Sequence, residues 1–338
     1  MRSCDVIVVG GGPAGASAAR RLKLAGAEVL ILDKEIFPRL KLCAGWVTPE
    51  VIRDTGLVIE EYPHRFHTFR RLHWHAFGLH LRTRCEQFSI RRVEFDAWLL
   101  ERSGAECLQH TVRSIEPDGD GYVIDGQFRC RHLIGAGGTG CPVHRQLFRQ
   151  ALPRARGLQT VTLELEFPFE WQDPDCHLWF FEHGLPGYSW SVPKGNGWLN
   201  VGVGAMAQRL KERNEDIWLH WQHLLRALEE RQGVKVPLEP TGYSYYLRGA
   251  LAATQRGNAY LVGDSVGLAT RFLGEGIGPA IRSGLRAADS ILTGKPYQIS
   301  DVTGASLGSG WVSRSLEWLF SRGLEPSAAP PSASAPAS

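Results

Sequence analysis

The sequence predicts an α/β protein in which a Rossmann-like dinucleotide-binding domain is interleaved with an α+β substrate domain built on a mostly antiparallel sheet. Three observations carry this expectation. Near the N-terminus an apolar strand, residues 6–9, runs without a spacer into a glycine turn. Far down the chain a second strand and glycine loop, residues 259–278, repeat that kind of chemistry. Between them, residues 186–204 alternate as a β-hairpin with aromatic residues on one face.

The first turn reads Gly10-x-Gly12-x-x-Gly15. The unbroken apolar run before it suits a strand buried on both faces. Gly10 allows the tight turn, Gly12 lets backbone approach a pyrophosphate, and Gly15 lets helix and strand pack closely. The helix begins with Pro13 and Ala14, carries Ala16, Ala18, Ala19 and Leu22 inward, and stops at Gly26. Its N-terminus offers unpaired N–H groups and a positive dipole end to the pyrophosphate. The next strand, residues 29–32, ends in Asp33, which can accept hydrogen bonds from a ribose diol, and Lys34 beside it is a further cofactor-binding candidate. This motif alone does not separate FAD from NAD.

Composition bounds the class. With 338 residues, 43% hydrophobic and 22% charged, the chain has the make-up of a globular protein of two domains. A formal net charge of +3 is too small to argue for nucleic acid. Cys4, Cys43, Cys85, Cys107, Cys130, Cys141 and Cys176 include no C-x-x-C pair, and no secretory leader precedes them. They are expected as reduced thiols in a cytoplasmic protein, with neither a disulfide framework nor a metal.

The second glycine segment supplies the choice of nucleotide. A strand, residues 259–262, meets Gly263-Asp264, and Gly274-Glu275-Gly276-Ile277-Gly278 leads into a helix from about Pro279. Paired with the N-terminal turn, this segment resembles the FAD-binding fold of p-hydroxybenzoate hydroxylase-like flavoproteins. The resemblance implies FAD, with Asp264 at the ribityl and pyrophosphate region and the loop of Gly274, Gly276 and Ile277 at the pyrimidine edge of the flavin, where charge gathers on reduction. The stretch Arg92-x-x-Phe95-Asp96-x-x-Leu99 is similar to that group's R-x-x-F-D-x-x-L signature, which implies a flavin contact for Arg92. Val112 falls where such proteins pass a strand beside the adenine. Residues 132–147 resemble the group's G-A-D-G-x-x-S-x-V-R segment but depart from it, since Gly137 stands where Asp is usual.

Two further stretches resemble the geranylgeranyl reductase family. Lys41, Cys43, Ala44 and Gly45 match its K-x-C-G-G loop, with Ala44 replacing the first glycine. Tyr188, Trp190, Val192, Pro193 and Lys194 match its Y-x-W-x-F-P-K segment. The resemblance implies reduction of C=C bonds in a prenyl chain by hydride from reduced FAD. Tyr188 and Trp190 would form a substrate wall, Cys43 would line the site or give a proton, and Lys41, Ala44 and Gly45 would stand beside the cofactor. The glycines of the return strand would admit substrate or a crossing strand. No separate NAD(P)H domain is recognised, so NAD(P)H or an electron-transfer protein is expected as a transient donor. The alternatives are a flavin monooxygenase or halogenase-like enzyme acting on an aromatic or protein-bound substrate, and a non-catalytic FAD-binding protein. Against the halogenase, its lysine-bearing segment is not recognisable.

The expected FAD domain takes residues 1–50, 90–150 and 250–300; residues 51–89 and 151–249 build the substrate side. His64, His67, His73, His75 and His80 crowd one stretch, and His73-x-His75 shares a face, but no carboxylate joins them locally. Their partly basic face is expected to meet acidic lipid or diphosphate headgroups, a peripheral membrane contact, rather than a metal. Residues 206–232 read as one helix burying Trp218, Trp221, Leu224, Leu225 and Leu228. Residues 301–324 read as a helical segment, and 325–338 as a disordered tail.

Overall fold

The computed structural model describes residues 1–237 and 239–303. Of the helical segment expected over residues 301–324 only 301–303 are among them, and the rest of it and the tail lie outside. In chain order, β1 (Arg2–Val9), α1 (Pro13–Leu24) and β2 (Val29–Asp33) open the fold. β3 (Trp46–Val47), α2 (Pro49–Thr55) and the hairpin β4 (His67–Ala76) and β5 (Leu79–Ser89) follow. α3 (Arg92–Arg102) leads to β6 (Glu106–Gln109), β7 (Ile115–Asp118), β8 (Gly121–Ile124) and β9 (Phe128–Gly135). Next come β10 (Gln159–Pro168), β11 (Cys176–Phe180), β12 (Gly187–Lys194), β13 (Trp198–Met206), α4 (Ala207–Glu212), α5 (Ile217–Gln232) and β14 (Thr241–Tyr246). The chain closes with β15 (Gln255–Arg256), β16 (Ala259–Leu261) and α6 (Ile277–Thr293).

The first sheet runs β15-β16-β9-β1-β2-β6, with the β7–β8 pair attached through β9. β16, β9, β1, β2 and β6 are parallel. Every residue of β2 and the second half of β1 are buried, which is why both read as apolar runs rather than alternating ones. α1 starts with Pro13 in its first turn and has Arg21 and Lys23 in its last, complementing the helix dipole. α6 lies so close to α1 that a Cβ on Gly284 would fall 2.1 Å from the Ala14 carbonyl oxygen. It begins at Ile277, slightly earlier than the sequence suggests, because Gly276 is its N-cap.

The second sheet runs β14-β10-β13-β12-β11-β4-β5-β3. Its pairs are antiparallel except β11–β4. β3, in a stretch assigned from sequence to the FAD side, pairs with β5 in this sheet. One face buries Leu163, Val201 and Val203 against Trp221, Leu224 and Leu228 of α5. The single helix expected over residues 206–232 is instead α4 and α5. The chain breaks at Asn214 (φ 53°), and Asp216 caps α5 by accepting from the Trp218 N–H at 3.1 Å. The break resets the helical phase, leaving Trp218 42% exposed and His220 in the buried position. All seven cysteines are free. Among the described residues no helix is long and apolar enough to cross a membrane.

Candidate active site

A cavity of ≈ 760 Å³ opens where the carboxyl ends of the first sheet's strands meet the second sheet. This is where ligands bind in open α/β folds. The turn contributes Gly10, Gly12, Pro13 and Ala14, and the end of β2 contributes Asp33 with Lys34. Lys41, Cys43 and Ala44 line the cavity from the following loop, Arg92 from α3, and Val112 from the chain after β6. Asp264, Gly274, Gly276 and Ile277 form the opposite rim, and Tyr188 and Trp190 close the far end. Of the residues given a cofactor-binding or catalytic role from sequence, Gly15 and Gly45 are not on its wall.

The glycines of the turn divide their work. Gly10 has φ 113°, and a Cβ there would fall 2.4 Å from the Ala136 carbonyl oxygen. A Cβ on Gly15 would fall 1.9 Å from the Gly10 carbonyl oxygen, so Gly15 acts behind the turn, not in the cavity. Gly12 is different, because a Cβ there would meet only Arg39 Nη2, at 3.3 Å. That space lies at the N-terminus of α1, and Arg39 Nη1 beside it is buried without a hydrogen-bond partner. A cation with an unshared N–H, facing a helix N-terminus, suits a dinucleotide pyrophosphate. Asp33 Oδ2 accepts from the Gly11 N–H at 2.6 Å and Oδ1 from the Glu35 N–H at 2.9 Å, which fixes the carboxylate for a ribose. Arg39→Ala is therefore expected to weaken dinucleotide binding by roughly tenfold or more, since a hydrogen bond to a charged group contributes about 1.5–3 kcal/mol. Flavin content per purified chain, and titration of the apoprotein, measure it.

Arg92 is buried and held by Asp96 through bonds of 2.7 Å from both Nε and Nη2. Burial works against its charge, and the Asp96 carboxylate more than offsets this, so the guanidinium stays above its usual range. The Cys43 thiol faces that guanidinium, a pairing that sequence reasoning did not find, and also accepts from the Gly45 N–H at 3.3 Å. Lys194, fully buried, holds the same loop. Its Nζ donates to the carbonyls of Ala44 at 2.9 Å and Ile90 at 2.6 Å, and pairs with Glu166 at 3.1 Å. A Cβ on Gly45 would fall 2.3 Å from that nitrogen and 2.1 Å from the Ile90 oxygen. Gly45 thus admits the lysine, and the two matched motifs meet at this contact.

The hairpin explains its own glycines. Trp190 pairs with Gly202 and Tyr188 with Gly204 across β12 and β13. A Cβ on Gly202 would fall 2.2 Å from Trp190 Cζ2, so the indole lies over the return strand. The expectation that substrate or a crossing strand uses this room is corrected: the tryptophan of the same hairpin fills it. Its Nε1 donates to Asn200 Oδ1 at 2.7 Å. Tyr188 Oη donates to the Leu273 carbonyl at 2.5 Å, tying the hairpin to the Gly274 loop.

One residue of the cavity has no counterpart in the sequence reading. Glu164, on β10 opposite Gly202, lines the cavity and is 2% exposed. Its Oε1 has no hydrogen-bond partner. Burial pushes its carboxyl up to about 7, against the opposing pull of Lys194, Lys41 and Arg92. Tyr243 and Tyr245 on β14 complete the wall, with Lys41 Nζ 3.1 Å from the Tyr243 ring centroid. The alternation Tyr243-x-Tyr245 is a period-two signal that could have located that strand.

Comparison with known proteins accounts for the nucleotide half. A family model described as FAD binding domain matches residues 3–290. Menaquinone reductase of Mycobacterium tuberculosis is 30% identical over 85% of this chain and 76% of its own length. Digeranylgeranylglycerophospholipid reductase 1 of Methanothermobacter thermautotrophicus is 24% identical over 90% of this chain and 80% of its own. Among solved structures, a geranylgeranyl bacteriochlorophyll reductase-like protein from Thermoplasma acidophilum superposes with a TM-score of 0.76 at 21% identity, covering 96% of this chain and 85% of that one. That likeness shows the fold alone.

Proposed function

This chain belongs to the FAD binding domain family and is an FAD-dependent oxidoreductase; from that premise we propose that it saturates C=C bonds of a prenyl chain. One observation carries the reading. A single cavity runs from the glycine turn to an aromatic wall and ends at a buried carboxyl whose Oε1 has no hydrogen-bond partner and which burial holds above the usual carboxylate range. The relatives are named for menaquinone and for a digeranylgeranylglycerophospholipid, molecules that share a polyprenyl chain, which supports the same substrate class.

Gly12, Arg39 and the N-terminus of α1 would hold the FAD pyrophosphate, Asp33 the ribose, and Asp264 with the loop of Gly274 and Gly276 the flavin end. Reduced FAD supplies hydride. The residues of the chain do the rest. Trp190, Tyr188, Leu178 and Val192 present an apolar surface that holds a chain flat and keeps water out. Glu164 Oε1 holds the proton that the second carbon of the double bond requires. Near neutral pH such a group gives up and regains its proton with little cost, as a general acid should. Once ionised, it faces Lys194, Lys41 and Arg92. Cys43 shapes the loop through Gly45 and Arg92. NAD(P)H or an electron-transfer protein docks transiently to reload the flavin.

The test is a product analysis. Holoprotein, dithionite and geranylgeraniol, incubated without oxygen, should give a product heavier by one dihydrogen per saturated bond. An unchanged prenyl chain, together with an aromatic compound that gains oxygen in air, would favour the monooxygenase reading.

A further inference from the structure

Outside the cavity, on the opposite face of the second sheet, β4, β5 and β11 gather imidazoles and carboxylates. Leu178 lines the cavity, so its neighbour His177 points away from it, and His177 pairs in register with His73. His177 Nε2 bonds Asp173 Oδ2 at 2.9 Å, and one ligand atom from each of His73, Asp173 and His177 lies within 4.8 Å of the other two. His73 is 8% exposed, and its Nε2 is buried with no hydrogen-bond partner, 3.6 Å from Asp175 Oδ2. Asp175 is itself fixed, accepting from the N–H groups of Arg70 and Arg71 and from Arg71 Nη1.

We propose that His73 Nε2, His177 Nε2 and Asp173 Oδ2 bind a zinc ion, with water in the fourth position and Asp175 beside His73 as a nearby negative charge. Zinc–ligand bonds of about 2.0–2.1 Å place tetrahedral donors about 3.4 Å apart, so these groups need small movements only. The far nitrogen of each ligating ring is already oriented. His73 Nδ1 shares a proton with His80 Nε2 at 3.1 Å, and His177 Nδ1 with His75 Nε2 at 3.2 Å. Such outer partners fix the tautomer of a metal-binding histidine and raise its basicity. Two imidazoles and one carboxylate form a borderline donor set of the kind that holds zinc with an open fourth position. The ion would pin β11 to the β4–β5 hairpin, and the sheet would separate it from the FAD cavity.

The experiment uses the full-length FAD holoprotein, stripped with chelator and titrated with Co(II), then Zn(II). The expected result is one Co(II) per chain with a tetrahedral d–d spectrum, displaced by Zn(II), and a higher Tm with either ion. Asp173→Asn, at a partly exposed side chain, should lower affinity roughly tenfold or more and leave FAD content unchanged. His177→Asn should abolish the tetrahedral spectrum. If it fails to fold, Asp173→Asn decides alone. Absence of saturable binding, an aqueous-type octahedral spectrum, or affinity unaltered by Asp173→Asn would overturn the site and leave a hydrogen-bonded imidazole stack.

Discussion

Glu164→Gln should cut reductive turnover by a factor of about 10²–10⁴, the usual contribution of a positioned general acid. FAD content should stay intact, and so should affinity for the prenyl substrate. Glutamine keeps the shape beside Gly202 and Trp190 and removes only the transferable proton. The same variant carries a stability signature. Burial pushes the folded carboxyl up to about 7 from its ordinary value of 4.5. A raised folded-state value contributes stability that is complete below the unfolded value and is lost as pH rises through the folded one. The groups facing Glu164 are Lys194, Lys41, Arg92 and Glu166, with the Tyr188 and Tyr245 hydroxyls, which burial keeps protonated. Each tenfold difference in proton affinity between the folded and unfolded chains corresponds to about 1.4 kcal/mol. Between about pH 5 and about pH 8 wild type should therefore lose about 3 kcal/mol relative to Glu164→Gln. Urea unfolding of both proteins at each pH measures it. Parallel pH profiles would mean that the carboxyl is ionised throughout.

Lys194→Met should destabilise the protein by about 3 kcal/mol or more, because removing one partner of a buried charged network strands the others. The carbonyls of Ala44 and Ile90 lose their donor, while Glu166 keeps Arg91 at 2.8 Å. The damage centres on the loop carrying Lys41 and Cys43, so proteolysis should begin there and turnover should fall with it. A loss below about 1 kcal/mol would mean that the carbonyls find water and that the lysine is not what fixes the loop.

The nucleotide half was legible because its glycines answer to backbone contacts that any sequence making this turn must allow. Gly10 and Gly15 are examples, with neighbouring carbonyl oxygens where a Cβ would stand. Tyr188 and Trp190 were legible through their alternation, and both line the cavity. The role of Gly202 was not, since only the register of β12 on β13 puts the indole over it. Glu164 was hidden for a related reason. In β10, Thr162, Glu164 and Glu166 alternate with Leu163, Leu165 and Phe167, which reads as a strand with one wet face. Packing of Trp190 and the Gly274 loop dries that face, and no local pattern records it. The histidine cluster was half visible, with His73-x-His75 on one strand. Its carboxylates arrive with β11, whose parallel pairing to β4 joins segments about a hundred residues apart.

The most direct measurement is anaerobic. The purified flavoprotein is photoreduced, geranylgeranyl substrate is added in the absence of oxygen, and the visible absorbance of the flavin is followed. The account predicts reoxidation only with substrate present, in step with saturation of a prenyl double bond, and much slower in Glu164→Gln. A flavin that stays reduced until oxygen is admitted would contradict it.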